Sequence, residues 1–308
     1  MKSLPLIIKS VLKGKSKFVI SLMIFLTICG SVLLYTERSH LGYFVYLYSL
    51  YTNSETRQLE NNLTFVLQDR PSELFDEFKG YVESVPQNAN VCHGIAHKLG
   101  HKSYELYGFD MSMQIAKPYC GAGFIHGVIE SKFGALRDTK AIRGIPYICD
   151  AKDEKCNHGI GHGLMVLTKN KFKDALTHCD TLEVSARSDC YDGVFMHIFD
   201  NEETGISKNI PEREEGISLC SRIEDRYKKS CYFYAPRIYA SDDLHIESKK
   251  MCDQALGEDK IICIVGSGTM IGKYVFDNPD KANTMCDVFG ENTNLCKEGI
   301  VMYRDNTF

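Results

Sequence analysis

Apolar positions along this chain follow two patterns, one continuous and one periodic. The continuous one is FVISLMIFLTICGSVLLY (residues 18–35), an uncharged stretch of about the minimum length for a membrane-spanning helix. Lys2, Lys9, Lys13, Lys15 and Lys17 precede it, and no acidic residue occurs before Glu37. That bias predicts a cytoplasmic N-terminus. LGYFVYLYSLY (41–51) spaces its tyrosines as an interfacial belt would. The organisation this predicts is a basic cytoplasmic segment (1–17), a single transmembrane anchor (18–35), a juxtamembrane aromatic and linker segment (36–70) and an extracytoplasmic domain (71–308), whether periplasmic, extracellular or luminal. A cleaved signal peptide is the alternative, since Cys29, Gly30 and Ser31 are small enough for a peptidase site.

The periodic pattern occupies the rest of the chain. CGAGFIHG (120–127), CNHGIGHG (156–163), CYDGVFMH (190–197), CIVGSGTM (263–270) and CKEGIVMY (296–303) all begin C-x-x-G and continue apolar. CHGIAHKL (92–99) fits with one residue removed, and CYFYAPRI (231–238) fits with Tyr234 in place of the glycine. The starting cysteines, 92, 120, 156, 190, 231, 263 and 296, are separated by 28, 36, 34, 41, 32 and 33 residues. Most have a second cysteine upstream, and the two flank a turn. Amphipathic stretches such as KFKDALTHC (171–179) and PDKANTMC (279–286) end on the first cysteine.

This predicts about seven helix-turn-helix repeats, with disulfides Cys149 to Cys156, Cys179 to Cys190, Cys220 to Cys231, Cys252 to Cys263 and Cys286 to Cys296 joining the end of each first helix to the start of the second. Cys92 and Cys120 are left to pair by elimination. A glycine inside a helix costs about 1 kcal/mol relative to alanine, so its recurrence predicts helices packed too closely for a Cβ. A two-helix period near 34 residues belongs to the all-α, α-solenoid class. Over residues 71–308 the architecture and spacing resemble Sel1-like and tetratricopeptide repeats, especially the cysteine-rich Sel1-like kind. That resemblance implies a fold of disulfide-linked helix pairs and carries no functional residue.

Cysteine usage bears on the compartment. Of 13 cysteines, Cys29 lies in the apolar segment and an even number remain, as expected of disulfides in an oxidising space. No C-x-x-C occurs, which removes zinc-ribbon, thioredoxin and c-type haem attachment readings. A net charge of −4 without a long Lys or Arg run in the body excludes a nucleic-acid footprint. Asn62-Leu63-Thr64 is a glycosylation sequon. GSGTMIG (266–272) lies within an expected helix and has the wrong spacing for a phosphate loop, and H-E-x-x-H and G-x-S-x-G are absent.

The histidines supply the candidate chemistry. Registered on the repeat glycines (Gly94, Gly123, Gly159, Gly193, Gly266, Gly299), His97, His126 and His162 come three residues after the glycine. His93 and His158 come one before it, with Asp192 at that offset in the fourth repeat. His101, Glu130 and Asp200 come seven after it. Offsets of −1, +3 and +7 share one helical stripe, and the later repeats carry no histidine there. Helices about 8–10 Å apart can converge such side chains on an ion about 2.0–2.1 Å from each donor.

Imidazole and carboxylate are ligands of Zn, Fe and Cu, and paired Glu/His helices hold di-metal centres. A haem held by two histidines is also compatible. The expected ligands are His93, His97, His126, His158 and His162, with Glu130 as ligand or general base and His101 as ligand or its support. The reaction class is metal-dependent redox or hydrolytic chemistry. Against this stands the plainer possibility of core histidines bonded to carbonyls, in a non-enzymatic scaffold that binds a membrane or extracytoplasmic protein partner on its face. His40, His178 and His245 fall off the pattern, and His197 falls one residue off the stripe.

Overall fold

A computed structural model describes residues 54–84, 89–136, 148–199, 213–238, 244–275 and 278–305. The expected anchor at 18–35, the segments flanking it up to residue 53, and Asp200 lie outside the described residues. Among the described residues no helix is long and apolar enough to cross a membrane.

The described chain is all-α. Its helices are α1 (Ser54–Asp69), α2 (Leu74–Ser84), α3 (Ala89–Ile115), α4 (Gly123–Ala135), α5 (Glu154–Leu167), α6 (Phe172–Cys179) and α7 (Val184–Phe199). They continue with α8 (Arg213–Arg222), α9 (Asp225–Tyr234), α10 (Leu244–Cys252), α11 (Gly257–Tyr274), α12 (Pro279–Met285) and α13 (Thr293–Arg304). Local signals start several of them. Asp153 caps α5 by accepting from the Cys156 N–H, and Asn278 caps α12 ahead of Pro279. α3 breaks at Gly108, whose φ of 73° favours glycine, and the Ser103 hydroxyl donates to Ser112 Oγ across the break at 2.8 Å. Residues 54–69, which the sequence pattern groups with the linker, form α1. Its Leu59, Leu63, Val66 and Leu67 are buried in the core that α2, α3 and α4 share.

Helices α3, α4, α5, α7, α9, α11 and α13 form an inner row, each packed on the next. The short amphipathic helices lie outside it: α6 against α5 and α7, α8 against α9, α10 against α11. Inner helices are apolar around most of their girth because they are covered on several sides; in α4 every residue from Gly123 to Glu130 is buried.

All twelve cysteines beyond Cys29 are paired. Cys149–Cys156, Cys179–Cys190, Cys220–Cys231, Cys252–Cys263 and Cys286–Cys296 each tie an outer segment to an inner helix, and Cys92–Cys120 ties α3 to the turn before α4. One detail differs from the sequence expectation. The second cysteine lies inside the inner helix instead of opening it: α7 begins at Val184 and α11 at Gly257, well before Cys190 and Cys263. The inner helix runs back alongside the outer one, so the residue facing the outer helix's last turn comes one to two turns in.

The repeat glycine has a consistent neighbour. A Cβ on Gly123 would lie 2.5 Å from the His93 carbonyl oxygen; on Gly193, 2.0 Å from that of His158; on Gly266, 2.0 Å from that of Phe233; on Gly299, 2.1 Å from that of Val265. Each is thus pressed on the carbonyl just before the register position of the preceding inner helix. This contact sets the register of neighbouring helices, so equal offsets come side by side. The α4–α5 pair departs from it: a Cβ on Gly159 would meet the side chains of Ile129 (2.8 Å) and His126 (3.2 Å). Imidazoles fill the space between those two helices.

Candidate metal centre

Four inner helices deliver the site: α3 brings His93, His97 and His101, α4 brings His126 and Glu130, α5 brings His158 and His162, and α7 brings His197. The first seven are the residues singled out by their shared offsets, and the fold gathers all of them. His97, His126, Glu130, His162 and His197 are buried, while His101 is at the rim with 40% of its side chain exposed.

Glu130 sits at the centre of one half of the cluster. Its Oε1 lies 3.6 Å from His97 Nε2, 3.5 Å from His162 Nδ1 and 3.7 Å from His197 Nδ1, and its Oε2 lies 3.2 Å from His101 Nε2. Oε1 is out of solvent and accepts no hydrogen bond. Burial alone would push this carboxyl up. The charge that His97 carries when protonated, with the ring nitrogens of His101, His162 and His197 turned toward it, outweighs burial and holds it well below the usual carboxylate range. A buried carboxylate is therefore ionised, and its desolvation costs several kcal/mol unless a cation compensates.

His126 is the centre of the other half. Its ring stacks against His158 and His162, with centroids 5.0 Å away in each case, and lies 5.3 Å from His93. Both its ring nitrogens are buried without a hydrogen-bond partner. Burial, then the neighbouring His158, His162, His93 and His97, hold its pKa well below the usual histidine range, so the ring is neutral at pH 7. Three sets of donors come within 4.8 Å of one another: His93, His97 and His126; His126, His158 and His162; and His97, Glu130 and His162. His97, His126 and His162 each belong to two of them.

Neighbours orient the imidazoles. The run Cys120, Gly121, Ala122 has positive φ throughout (54°, 61°, 61°), and the Cys120 carbonyl accepts from His93 Nδ1 at 2.8 Å. That leaves Nε2 as the lone-pair nitrogen of a neutral His93. His101 Nδ1 pairs with Ser131 Oγ at 2.7 Å. His197 Nε2 donates to Asn170 Oδ1 at 3.2 Å, which turns its Nδ1 toward Glu130 Oε1, 3.7 Å away. His158 Nε2 is 3.2 Å from His162 Nε2 and 3.2 Å from the Met196 thioether sulfur.

His197 belongs to the cluster although its offset from Gly193 is +4, not +3. One available signal was its setting: a single imidazole in the apolar run VFMHIF (194–199), where a buried polar group needs a partner. Ser131, Asn170 and Met196 carried no comparable signal. His178 and His245 lie on the outer helices α6 and α10, away from the site. Asp192, which shares the −1 offset, lines a cleft beside the cluster; burial raises its carboxyl to about 7.

No protein-family model, curated protein or solved structure matches the chain, so its function is to be read from this site.

Proposed function

We propose that the protein is a membrane-anchored, extracytoplasmic α-solenoid that binds one or two transition-metal ions between His93, His97, His126, Glu130, His158 and His162, with His101 and His197 at the same centre, for redox or hydrolytic chemistry. One observation carries the metal reading. Three imidazole nitrogens stand 3.5–3.7 Å from Glu130 Oε1, too far for hydrogen bonds and close to the edge of roughly 3.3 Å between ligands bonded at 2.0–2.1 Å in a tetrahedral centre. An ionised carboxylate oxygen buried without a hydrogen-bond partner is costly by itself. A bound cation makes the same arrangement attractive.

The overlapping donor sets favour a pair of ions sharing ligands, as in two-metal sites. Imidazole and carboxylate suit Zn, Fe and Cu, and the Met196 thioether adds a soft donor on the copper side. Haem is less favoured: neighbouring rings stand 5.0–6.1 Å apart, which leaves no planar slot for a macrocycle between facing histidines. Such a centre supplies Lewis acidity or electron transfer, with Glu130 as ligand or general base. Six disulfides support an oxidising extracytoplasmic compartment. The lysine-flanked apolar segment at 18–35 supports the anchor, and the inner row of stacked helices supports the solenoid.

Elemental analysis of the full chain, purified without a histidine tag after expression with Zn, Fe and Cu available, tests the reading. Wild type should hold at least one metal equivalent. The pair His97→Ala with His162→Ala should abolish it, while His178→Ala with His245→Ala should retain it. A metal-free wild type would sink the proposal and leave a partner-binding scaffold as the better account.

A further inference from the structure

Beside the cluster lies a cleft of about 420 Å³ whose lining includes His93, His126 and His158. Val82 of α2 and Met302, Tyr303 and Arg304 of α13 share its wall, so the row of inner helices brings early and late repeats to one opening. The cleft therefore borders the imidazole cluster on this side.

The charges around it are unequal. Among the described residues its lining holds five cationic side chains, Lys155, Lys229, Arg237, Lys273 and Arg304, against three acidic ones, Glu154, Asp189 and Asp192. Two guanidinium nitrogens of Arg304, Nε and Nη2, are out of solvent with no hydrogen-bond partner. A buried N–H donor left unpaired is costly, and more so on a charged group. Between the cations lie apolar and aromatic surfaces, Tyr119, Phe233, Tyr234 and Met302, and the Arg237 guanidinium lies over the Tyr234 ring, 4.9 Å from its centroid. A mixed wall of this kind suits a ligand with a flat or apolar body and a charged end.

Resting on the metal reading above, we propose that the cleft is the substrate site of that centre and takes a small organic anion, with a phosphate or carboxylate group held by the cationic wall and an apolar body directed toward His93, His126 and His158. The guanidinium of Arg304 supplies donors in a fork that matches either oxyanion. The late repeats, which carry none of the site's histidines, thereby have a part in the same site.

Calorimetric titration of the detergent-solubilised full chain tests this with four probes of similar body and different charge: phenyl phosphate, phenylacetate, benzyl alcohol and benzylammonium. The anions should bind at least tenfold more tightly than the neutral and cationic probes, and the tighter anion identifies which oxyanion the wall prefers. The triple variant Lys155→Ala, Lys229→Ala, Lys273→Ala should weaken anion binding at least tenfold. Binding of benzyl alcohol or benzylammonium as tight as that of both anions, or a folded triple variant with wild-type anion affinity, would overturn the proposal. Metal content measured on the same samples separates the two readings. Anion selectivity in a metal-free wild type refutes the metal centre alone, and a metal-loaded wild type without anion selectivity refutes the cleft assignment alone.

Discussion

Gly193→Ala is a sensitive probe of how the helices bring the histidines together. The new Cβ would lie 2.0 Å from the His158 carbonyl oxygen, 3.0 Å from its carbon and 3.1 Å from Gly161 Cα. Carbon and carbonyl oxygen normally approach to about 3.3–3.6 Å, so α5 and α7 must separate locally by roughly 1.3 Å. Both obstructing groups are helix backbone and cannot rotate away. Overpacking of this kind costs about 1–3 kcal/mol, against about 1 kcal/mol gained from alanine's helix propensity. With the clash at the upper end of that range, the net loss is about 1–2 kcal/mol, which lowers the thermal midpoint by about 2–8 °C in a domain of this size.

The control is Gly80→Ala, in the exposed part of α2, where a Cβ would meet nothing within 4 Å. There only propensity acts, and the midpoint should rise. Thermal unfolding of both variants decides the matter, with metal content as a second readout, because a displacement near 1 Å loosens His158 and His162 relative to Glu130. A Gly193→Ala protein that melts at or above wild type, as Gly80→Ala should, would refute the close packing and the register derived from it.

Three further expectations follow from particular contacts. Asn170→Gly keeps the left-handed backbone of that residue (φ 61°) but deletes the acceptor that orients His197; metal affinity should fall about 10–100-fold, read by competition with a chelator, and an unchanged affinity would place His197 outside the centre. Asp192 has a folded pKa of about 7 against 3.8 unfolded, chiefly through burial, so the folded protein holds the extra proton between those values and this group's contribution to stability falls as pH rises through them, levelling off above about 7. The melting advantage of Asp192→Asn over wild type should accordingly grow from pH 4.5 to pH 8, and a constant difference would contradict the assignment. Non-reducing peptide mapping of the natively expressed protein should recover Cys92–Cys120, whose 28-residue separation is the longest of the six; loop closure of that length corresponds to about 3–4 kcal/mol, so Cys92→Ser with Cys120→Ser should melt well below wild type.

The sequence by itself determined the repeat, the cysteine pairing and the stripe of candidate residues. These are legible because each is periodic: a cysteine, a glycine three residues on, and an imidazole three beyond that recur at helical spacing, and helical spacing alone assigns them to one face. Ten of the twelve cysteines beyond Cys29 could be paired from the same period, since a turn between antiparallel helices leaves few residues within bonding reach, and Cys92 and Cys120 were left to each other by elimination. What the period could not convey was distance across helices. Only the tertiary structure decided that Glu130, one carboxylate at the +7 offset, lies among four imidazoles from three other helices, because that depends on glycine letting backbones approach to contact. It also decided that His197 joins them from a +4 position, through a hydrogen bond to Asn170 at the end of α5. The cleft belongs wholly to that level: Arg304 and His93 are more than 200 residues apart in the chain, and no local pattern relates them, since their meeting depends on how six successive helix contacts add up.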